Sequence, residues 1–487
     1  MGRIGTFINK LQAHPNAEYY IVYPRSVRNC AHGAVFMAQD EQGGDKLYFY
    51  GERCPFDGVK KTDGNTVFYE CGLSHANAQV LRELFPFCAP QKVLTRPCTI
   101  GTGDRLGIAA AGQIGAIRKY AAAPVLAQQS MRELTLTGRT FQSVMDDVTF
   151  SVFREGYTGG YGADGDHLKT MEEIGEALAC GYTMITLDLS EQIHDPAETR
   201  APVCEELREC YLDRSFRLDD GYEIRFSEDE LQTAVTIYGE AIDYAEQVAR
   251  KFFSEADGQA DLEISIDETS VPTTPQQHFF VANELRRRKV RFATIAPRFT
   301  GEFQKGIDYI GDINRFEQEM KIHAAIARTQ GYKLSVHSGS DKFSIFPIVG
   351  KHTNGVFHLK TSGTSWLEAM KLAALQAPEL YRQIHKYALT VFEQAKANYH
   401  VSAKTEAIPD VERVPDELLP RLFEDDNARQ LIHITYGYIL RHPVFGPMLR
   451  ALWKKEQRRY DELVEYHITR HLEGLSVPYT GEENDEK

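Results

Sequence analysis

Between about residues 97 and 360 the chain alternates short apolar runs with longer amphipathic ones, and no other feature narrows its fold so far. TRPCTIG (95–101), APVLAQQS (123–130), TMITLD (183–188), LEISID (262–267), RFATIA (291–296), KLSVH (333–337) and VFHLK (356–360) read as buried strands of a few residues each. The passage YGADGDHLKT (161–170) takes third place in that order. Helical spacing fills most of the intervals; from Phe141, for instance, apolar residues fall at 141, 144, 145, 148, 152 and 153. Thr170…Glu173, Ser227…Glu230 and Ser365…Glu368 each match the box of residues that caps a helix start. Alternating strands and helices predict a parallel sheet, and eight units predict a closed (β/α)8 barrel of the α/β class. An open doubly wound sheet is the alternative. Residues 1–92 read as a smaller α+β region and 93–400 as the barrel, with a helical insertion at about 190–260. Residues 401–487 read as a helical extension packed on the barrel exterior.

Charge and composition exclude several partner classes. The formal net charge is −14, which leaves no cationic surplus for phosphate backbones, so nucleic acid is not expected as a partner. RRRK at 286–289 is the tightest basic run and reads as the solvated end of a helix. No apolar run approaches the ~20 residues that span a bilayer. The first residues lack the apolar core of a secretory signal, and the eight cysteines show no C-x-x-C spacing. A cytoplasmic protein with reduced thiols and no membrane partner is the expectation. A homo-oligomer is compatible with all of this.

Chemistry-bearing residues gather at the carboxyl ends of the strand candidates, where barrel enzymes build their sites. Asp104 follows the first, Gln128 ends the second, and Asp164, Asp166 and His167 belong to the third. Asp188 ends the fourth, Asp267 and Glu268 the fifth, Arg298 follows the sixth, His337 ends the seventh, and His358 and Lys360 end the eighth. Read from Gly160, the third passage spells G-x-G-x-x-G, yet it follows a helix, and its two carboxylates would repel a pyrophosphate.

Imidazole and carboxylate donors suit a divalent cation such as Zn, Mn, Fe, Co or Ni. His167 and His337 are the candidate ligands, with Asp308, in the loop after the sixth strand, as the third. The competing reading makes His167 a helix cap and His337 a buried structural histidine. Asp166 and Glu268 form a candidate acid–base pair, since two carboxylates in different environments can divide those roles. Each also reads plainly, as an N-cap and as a surface residue. Lys360, with the small-residue loop TSGTS, offers a cation and amide N–H groups to a substrate carboxylate or phosphate; a capped helix or a Schiff-base lysine are the alternatives. Arg298, Lys342, Asp104 and Gln128 complete the expected substrate contacts.

Taken together, GTGDRLG (101–107), LAQQSMREL (126–134), YGADGDHLKT, SIDETSVPTTPQQHF (265–279), IAPRFTGEFQKGIDY (295–309) and LSVHSGSDKFS (334–344) resemble the bacterial tagaturonate/fructuronate epimerases over about residues 95–400. The resemblance implies metal-dependent interconversion of D-tagaturonate and D-fructuronate in hexuronate catabolism. Some relatives act on the neutral ketohexoses fructose and tagatose. It also implies a cation on His167 and His337 with a further ligand within 295–309, Asp166 as proton acceptor and Glu268 as proton donor. A ketose isomerase or class II aldolase on the same barrel, and a sugar-binding protein without catalysis, are the competing readings.

Overall fold

The computed structural model describes residues 5, 7–9, 21–31, 33–39, 44–63, 66–195, 201–254, 258–361 and 363–481. Eight strands carry the architecture: β1 (Cys98–Thr102), β2 (Ala123–Ser130), β3 (Gly162–Leu168), β4 (Met184–Asp188), β5 (Asp261–Ile266), β6 (Thr294–Pro297), β7 (Lys333–Val336) and β8 (Phe357–Thr361). All pair in parallel, and β8 returns to β1 from Phe357↔Cys98 to Thr361↔Thr102, which closes the barrel. That last pairing excludes the open sheet.

Period-two alternation gives each strand two different faces. Ile185 and Leu187, Leu262 and Ile264, Leu334 and Val336, and Phe357 and Leu359 pack outward into apolar clusters with helix residues such as Ala177, Phe280, Ala324 and Met370. The alternate residues meet at the axis. Thr186 Oγ1 donates to Glu263 at 3.0 Å, Thr294 Oγ1 donates to Glu263 at 2.6 Å, and Lys333 Nζ donates to Thr99 Oγ1 at 2.8 Å. Branched hydrocarbon usually fills such an interior. Here polar groups replace much of it.

The capping boxes at Thr170–Glu173 and Ser227–Glu230 form and open the helices Met171–Ala179 and Glu228–Phe252. The box expected at Ser365–Glu368 does not. The helix Thr364–Gln376 begins two residues earlier than that box would set it, with Gly363 as its N-cap at φ 69°. Ser365 is buried instead, and its hydroxyl receives Gln113 Nε2 at 3.2 Å. Glycine is required at 363, since a Cβ there would lie 2.3 Å from the Arg105 guanidinium carbon.

Ahead of the barrel, five short strands between Arg28 and Cys71 form an antiparallel sheet, followed by the helix His75–Leu84. That helix docks on the barrel helix Phe141–Glu155 through Arg82 and Asp146, 3.1 Å apart. After the barrel come the helices Asp426–Ile434, Tyr436–Arg441, Phe445–Lys455 and Gln457–Gly474. The last reaches the loop after β7: His471 Nε2 accepts the Asp341 N–H at 3.0 Å, while its Nδ1 donates to the His467 carbonyl at 2.9 Å. Both nitrogens of His471 are thereby engaged, so the neighbouring Asp341, His467 and His471 form a brace rather than a metal cage. Among the described residues, no helix is long and apolar enough to cross a membrane.

Gln457–Gly474 also lies flat on the helix Ala110–Ile117, because Gly112 lets the backbones approach; a Cβ there would meet the Asp461 carbonyl at 2.5 Å. Gly112→Val should therefore force the two helices apart, at a cost of about 1–3 kcal/mol for overpacking. Scanning calorimetry should record a lower melting temperature, and an unchanged one would show that the approach is not close-packed.

Candidate active site

The carboxyl ends of the strands open into two adjoining chambers of about 320 and 310 Å³. Arg132, Asp267, Glu268, Lys305, His337 and Ser338 border both. The inner chamber continues to Gln128, Asp166, His167, Asp188 and Lys360, and the outer to Arg298, Tyr399 and His400.

Strained backbone aims the histidines. The β3–β4 register shifts between Gly165 and Leu168, and inside that bulge His167 takes φ 52°, a conformation rare outside glycine. Ser338, directly after His337, has φ 49°. Such strain persists where surrounding structure enforces it, and it concentrates at functional sites. The outcome is a pair of imidazoles with ring centroids 5.0 Å apart, inclined at 75°. Donor atoms of His167, Asp267 and His337 lie within 4.8 Å of one another, and the same holds for His167, Asp188 and Glu268.

Outer contacts fix how these groups present themselves. His337 Nε2 lies 2.7 Å from Glu263 Oε1, so it donates there and leaves Nδ1 facing the chamber. Nδ1 is buried without a hydrogen-bond partner, 3.3 Å from Asp267 Oδ1. A ligating histidine is typically oriented by such a carboxylate on its far nitrogen. His167 Nδ1 stands 3.3 Å from Asp188. Burial disfavours charge on both rings, yet Asp267 and Glu263 raise His337 to about 10, and Asp166 and Asp188 raise His167. A site that draws protons onto two buried imidazoles has the field and the donors to draw a metal cation.

Beneath them lies Lys360. Its Nζ is 2.7 Å from Asp164, 2.5 Å from Asp166 and 3.2 Å from Glu263, and it donates to Thr186 Oγ1. Burial pushes Asp164 up to about 6; it also works against the Asp166 carboxylate, but Lys360, His167 and His337 together outweigh it there and lower Asp166 to about 2. Asp166 is therefore a fixed carboxylate at neutral pH.

The remaining sequence-derived residues divide. Gln128 and Arg298 border the cavity, as do Asp166, His167, Glu268, His337 and Lys360. Asp308 does not join the histidines: its carboxylate accepts the Ser344 amide and hydroxyl and the Tyr309 amide, which ties the loop after β6 to the loop after β7. Asp104 is likewise turned inward on its own chain, accepting the amides of Leu106, Gly107 and Ala109. Lys342 is buried against the carbonyls of Gln304, Ile307 and Ser340. Neither Asp104 nor Lys342 borders either chamber. Lys360 borders the inner chamber, but its charge is already matched by three carboxylates.

Sequence reasoning passed over Glu263 and Arg132. Glu263 carried a readable signal, because it alternates with Leu262 and Ile264 in a strand that the outer helices cover. Arg132 carried none; it sits in the first turn of the helix Met131–Thr137, where a solvated arginine would look the same.

A family profile described as tagaturonate epimerase matches residues 23–475. A tagaturonate/fructuronate epimerase of Thermotoga maritima is 41% identical over 470 residues, covering 94% of this chain and 97% of that protein. The native crystal structure of the fructuronate-tagaturonate epimerase UxaE from Cohnella laeviribosi superposes with a TM-score of 0.91 at 44% identity, over 97% of this chain and 99% of that one. A glycerol complex of the same Cohnella protein gives 0.91 at 43% identity, over 98% of this chain and 100% of that one.

Removing the central ammonium tests the electrostatic account. Lys360→Met leaves Asp164, Asp166 and Glu263 buried together without the ammonium they share, and should cost about 3–5 kcal/mol at pH 7. In the native protein Asp166 and Glu263 have depressed pKa values, so their contribution is present at neutral pH and fades only as pH falls towards those low values. In the variant the same carboxylates are destabilising when charged, and protonation relieves them. The stability gap between the two proteins, followed by denaturant unfolding, should narrow from pH 7 to pH 4.5; a constant gap contradicts the account.

Proposed function

The chain belongs to the tagaturonate epimerase family, and from that premise we propose that it interconverts D-tagaturonate and D-fructuronate with a divalent cation, and acts on fructose and tagatose as a neutral second substrate pair. The observation that carries the reading is the meeting of His167 and His337 across the barrel, in a chain 41% identical to an epimerase of that name over nearly its full length. His167, His337 and Asp267 would hold the cation, with Asp188 and Glu268 at its flank. When bound, such an ion supplies Lewis-acid polarisation of a carbonyl and its neighbouring hydroxyl.

The substrates set the task for the protein's own groups. Tagaturonate and fructuronate differ at a carbinol carbon β to the ketone, so simple enolisation does not acidify its hydrogen. Retro-aldol cleavage with readdition to the other face, and migration of the carbonyl before proton exchange, are the two routes that need no external oxidant. Both require a base and an acid on different sides of the substrate. Asp166, held ionised by Lys360, suits the acceptor; Glu268, on the loop after β5 and bordering both chambers, suits the donor. Transient oxidation would need a nicotinamide. The G-x-G-x-x-G stretch runs into β3 with Asp164 engaged by Lys360, and offers no turn of bare amides to a pyrophosphate.

Chromatography of products from the metal-loaded protein, given tagaturonate or tagatose, tests the reading. Epimers are expected; trioses would mark an aldolase, an aldose would mark an isomerase, and saturable binding without turnover a binding protein. Glu268→Gln should lower turnover by roughly 10²–10⁴-fold, as expected for loss of a general acid, with metal content unchanged by elemental analysis. Turnover near the native rate would remove Glu268 from the mechanism. His337→Ala should instead lose the metal.

A further inference from the structure

His337 sits at the start of a loop whose backbone is strained at two points. Ser338 has φ 49° and Asp341 has φ 60°, a region that non-glycine residues keep only where surrounding contacts enforce it. Three ties come from the barrel itself. The Gly339 amide donates to the Lys360 carbonyl at 2.8 Å. Lys342 Nζ donates to the carbonyls of Gln304 and Ile307, in the loop after β6, at 2.9 and 2.6 Å. Ser344 Oγ donates to Asp308 at 3.0 Å. Asp341, between those anchors, is held from outside the barrel.

Arg429 lies in the helix Asp426–Ile434, 88 residues beyond Asp341, and its Nη2 donates to Asp341 Oδ2 at 2.9 Å. Its other nitrogens meet backbone carbonyls: Nε donates to Gly306 at 2.5 Å and Nη1 to Phe423 at 2.7 Å. Gly306 belongs to the loop after β6, so one planar fork joins the loops after β6 and β7, which the point charge of a lysine cannot reproduce. His471, 130 residues beyond Asp341, accepts the Asp341 amide on Nε2 at 3.0 Å. The Phe343 and Phe346 rings pack beside it, with centroids 5.1 and 5.2 Å away. Burial holds His471 below the ordinary histidine range, in the neutral form that can accept a hydrogen bond. Burial also works against the Asp341 carboxylate, but His467, Arg429, His471 and Lys342 together lower it, so its ion pair with Arg429 is present at neutral pH.

We propose that Arg429 and His471, both from the helical extension after the barrel, are positioning residues for the candidate cation site: they set the loop that presents His337 and Ser338 to the chambers. This rests on the reading of His337 as a cation ligand and adds to it the distant residues on which its placement depends. Neither side chain borders either chamber, so both act through the loop.

Cobalt titration of the metal-free protein, followed by visible absorption, tests this. The native protein should bind cobalt and His337→Gln should lose the spectrum; a spectrum retained in His337→Gln places the ion elsewhere and overturns the proposal. Arg429→Met and His471→Leu should weaken cobalt binding at least tenfold and alter its absorption bands, as expected when a group that orients a ligand is lost. Arg429→Lys, which keeps the charge but not the fork, should recover part of the loss. So should His471→Gln, whose amide oxygen can accept the same N–H. Arg82→Met, which loosens the N-terminal helix instead, should bind cobalt as the native protein does. Less than tenfold weakening in either folded variant, or an equal loss in Arg82→Met, overturns the proposal. If the native protein binds no cobalt, the cation reading falls, and the His337 ring resonances of isotope-labelled protein, identified by their loss in His337→Gln, still decide the positioning role. Resonances that move in Arg429→Met and His471→Leu but not in Arg82→Met support it; unmoved resonances overturn it.

Discussion

One ammonium among three carboxylates, deep in a closed barrel, is the interaction on which the site depends. Buried charge is tolerated only when paired and hydrogen-bonded, and Lys360 with Asp164, Asp166, Glu263 and Thr186 meets that condition. The arrangement does more than balance itself. It keeps Asp166 ionised, and it holds Glu263 where the same oxygen also receives the Nε2–H of His337. The charge state of the candidate base and the orientation of a candidate ligand thus follow from one cluster.

Above that cluster the backbone is under strain that the rest of the fold sustains. His167 at φ 52°, Ser338 at φ 49° and Asp341 at φ 60° all lie around the mouth. The bulge between β3 and β4 fixes the first. The third is fixed from outside, because Asp341 is bound by Arg429 at 2.9 Å and its amide by His471. Helices that follow the barrel in sequence therefore help to shape the loop that carries His337.

The sequence made the barrel legible because eight apolar runs had to be covered on one side by amphipathic helices, and local capping residues marked where those helices begin. His167, His337, Asp166 and Glu268 were legible as strand-end residues of the right chemical types. What stayed hidden depended on partners far away in the chain. Asp308 looked like a ligand, but Ser344, in the loop after the next strand, satisfies it. Lys342 looked like a free cation, but backbone carbonyls surround it. Ser365 looked like a cap, but the helix starts two residues earlier behind Gly363, where the Arg105 guanidinium leaves no room for a Cβ. Lys360 was found as a functional cation, yet its three acidic partners come from β3 and β5, and no local pattern announces them.

The outer rim of the mouth has a consequence for how such a protein can change. Asn398, Tyr399 and His400 follow the long helix Pro378–Lys396 and belong to none of the eight strand–helix repeats, yet they wall the outer chamber. The candidate acid–base pair sits at the strand ends of the barrel, while part of the cavity wall sits on an appended segment. Mutational drift in that segment would reshape the entrance to the cavity while leaving the strand-end histidines and carboxylates where they stand.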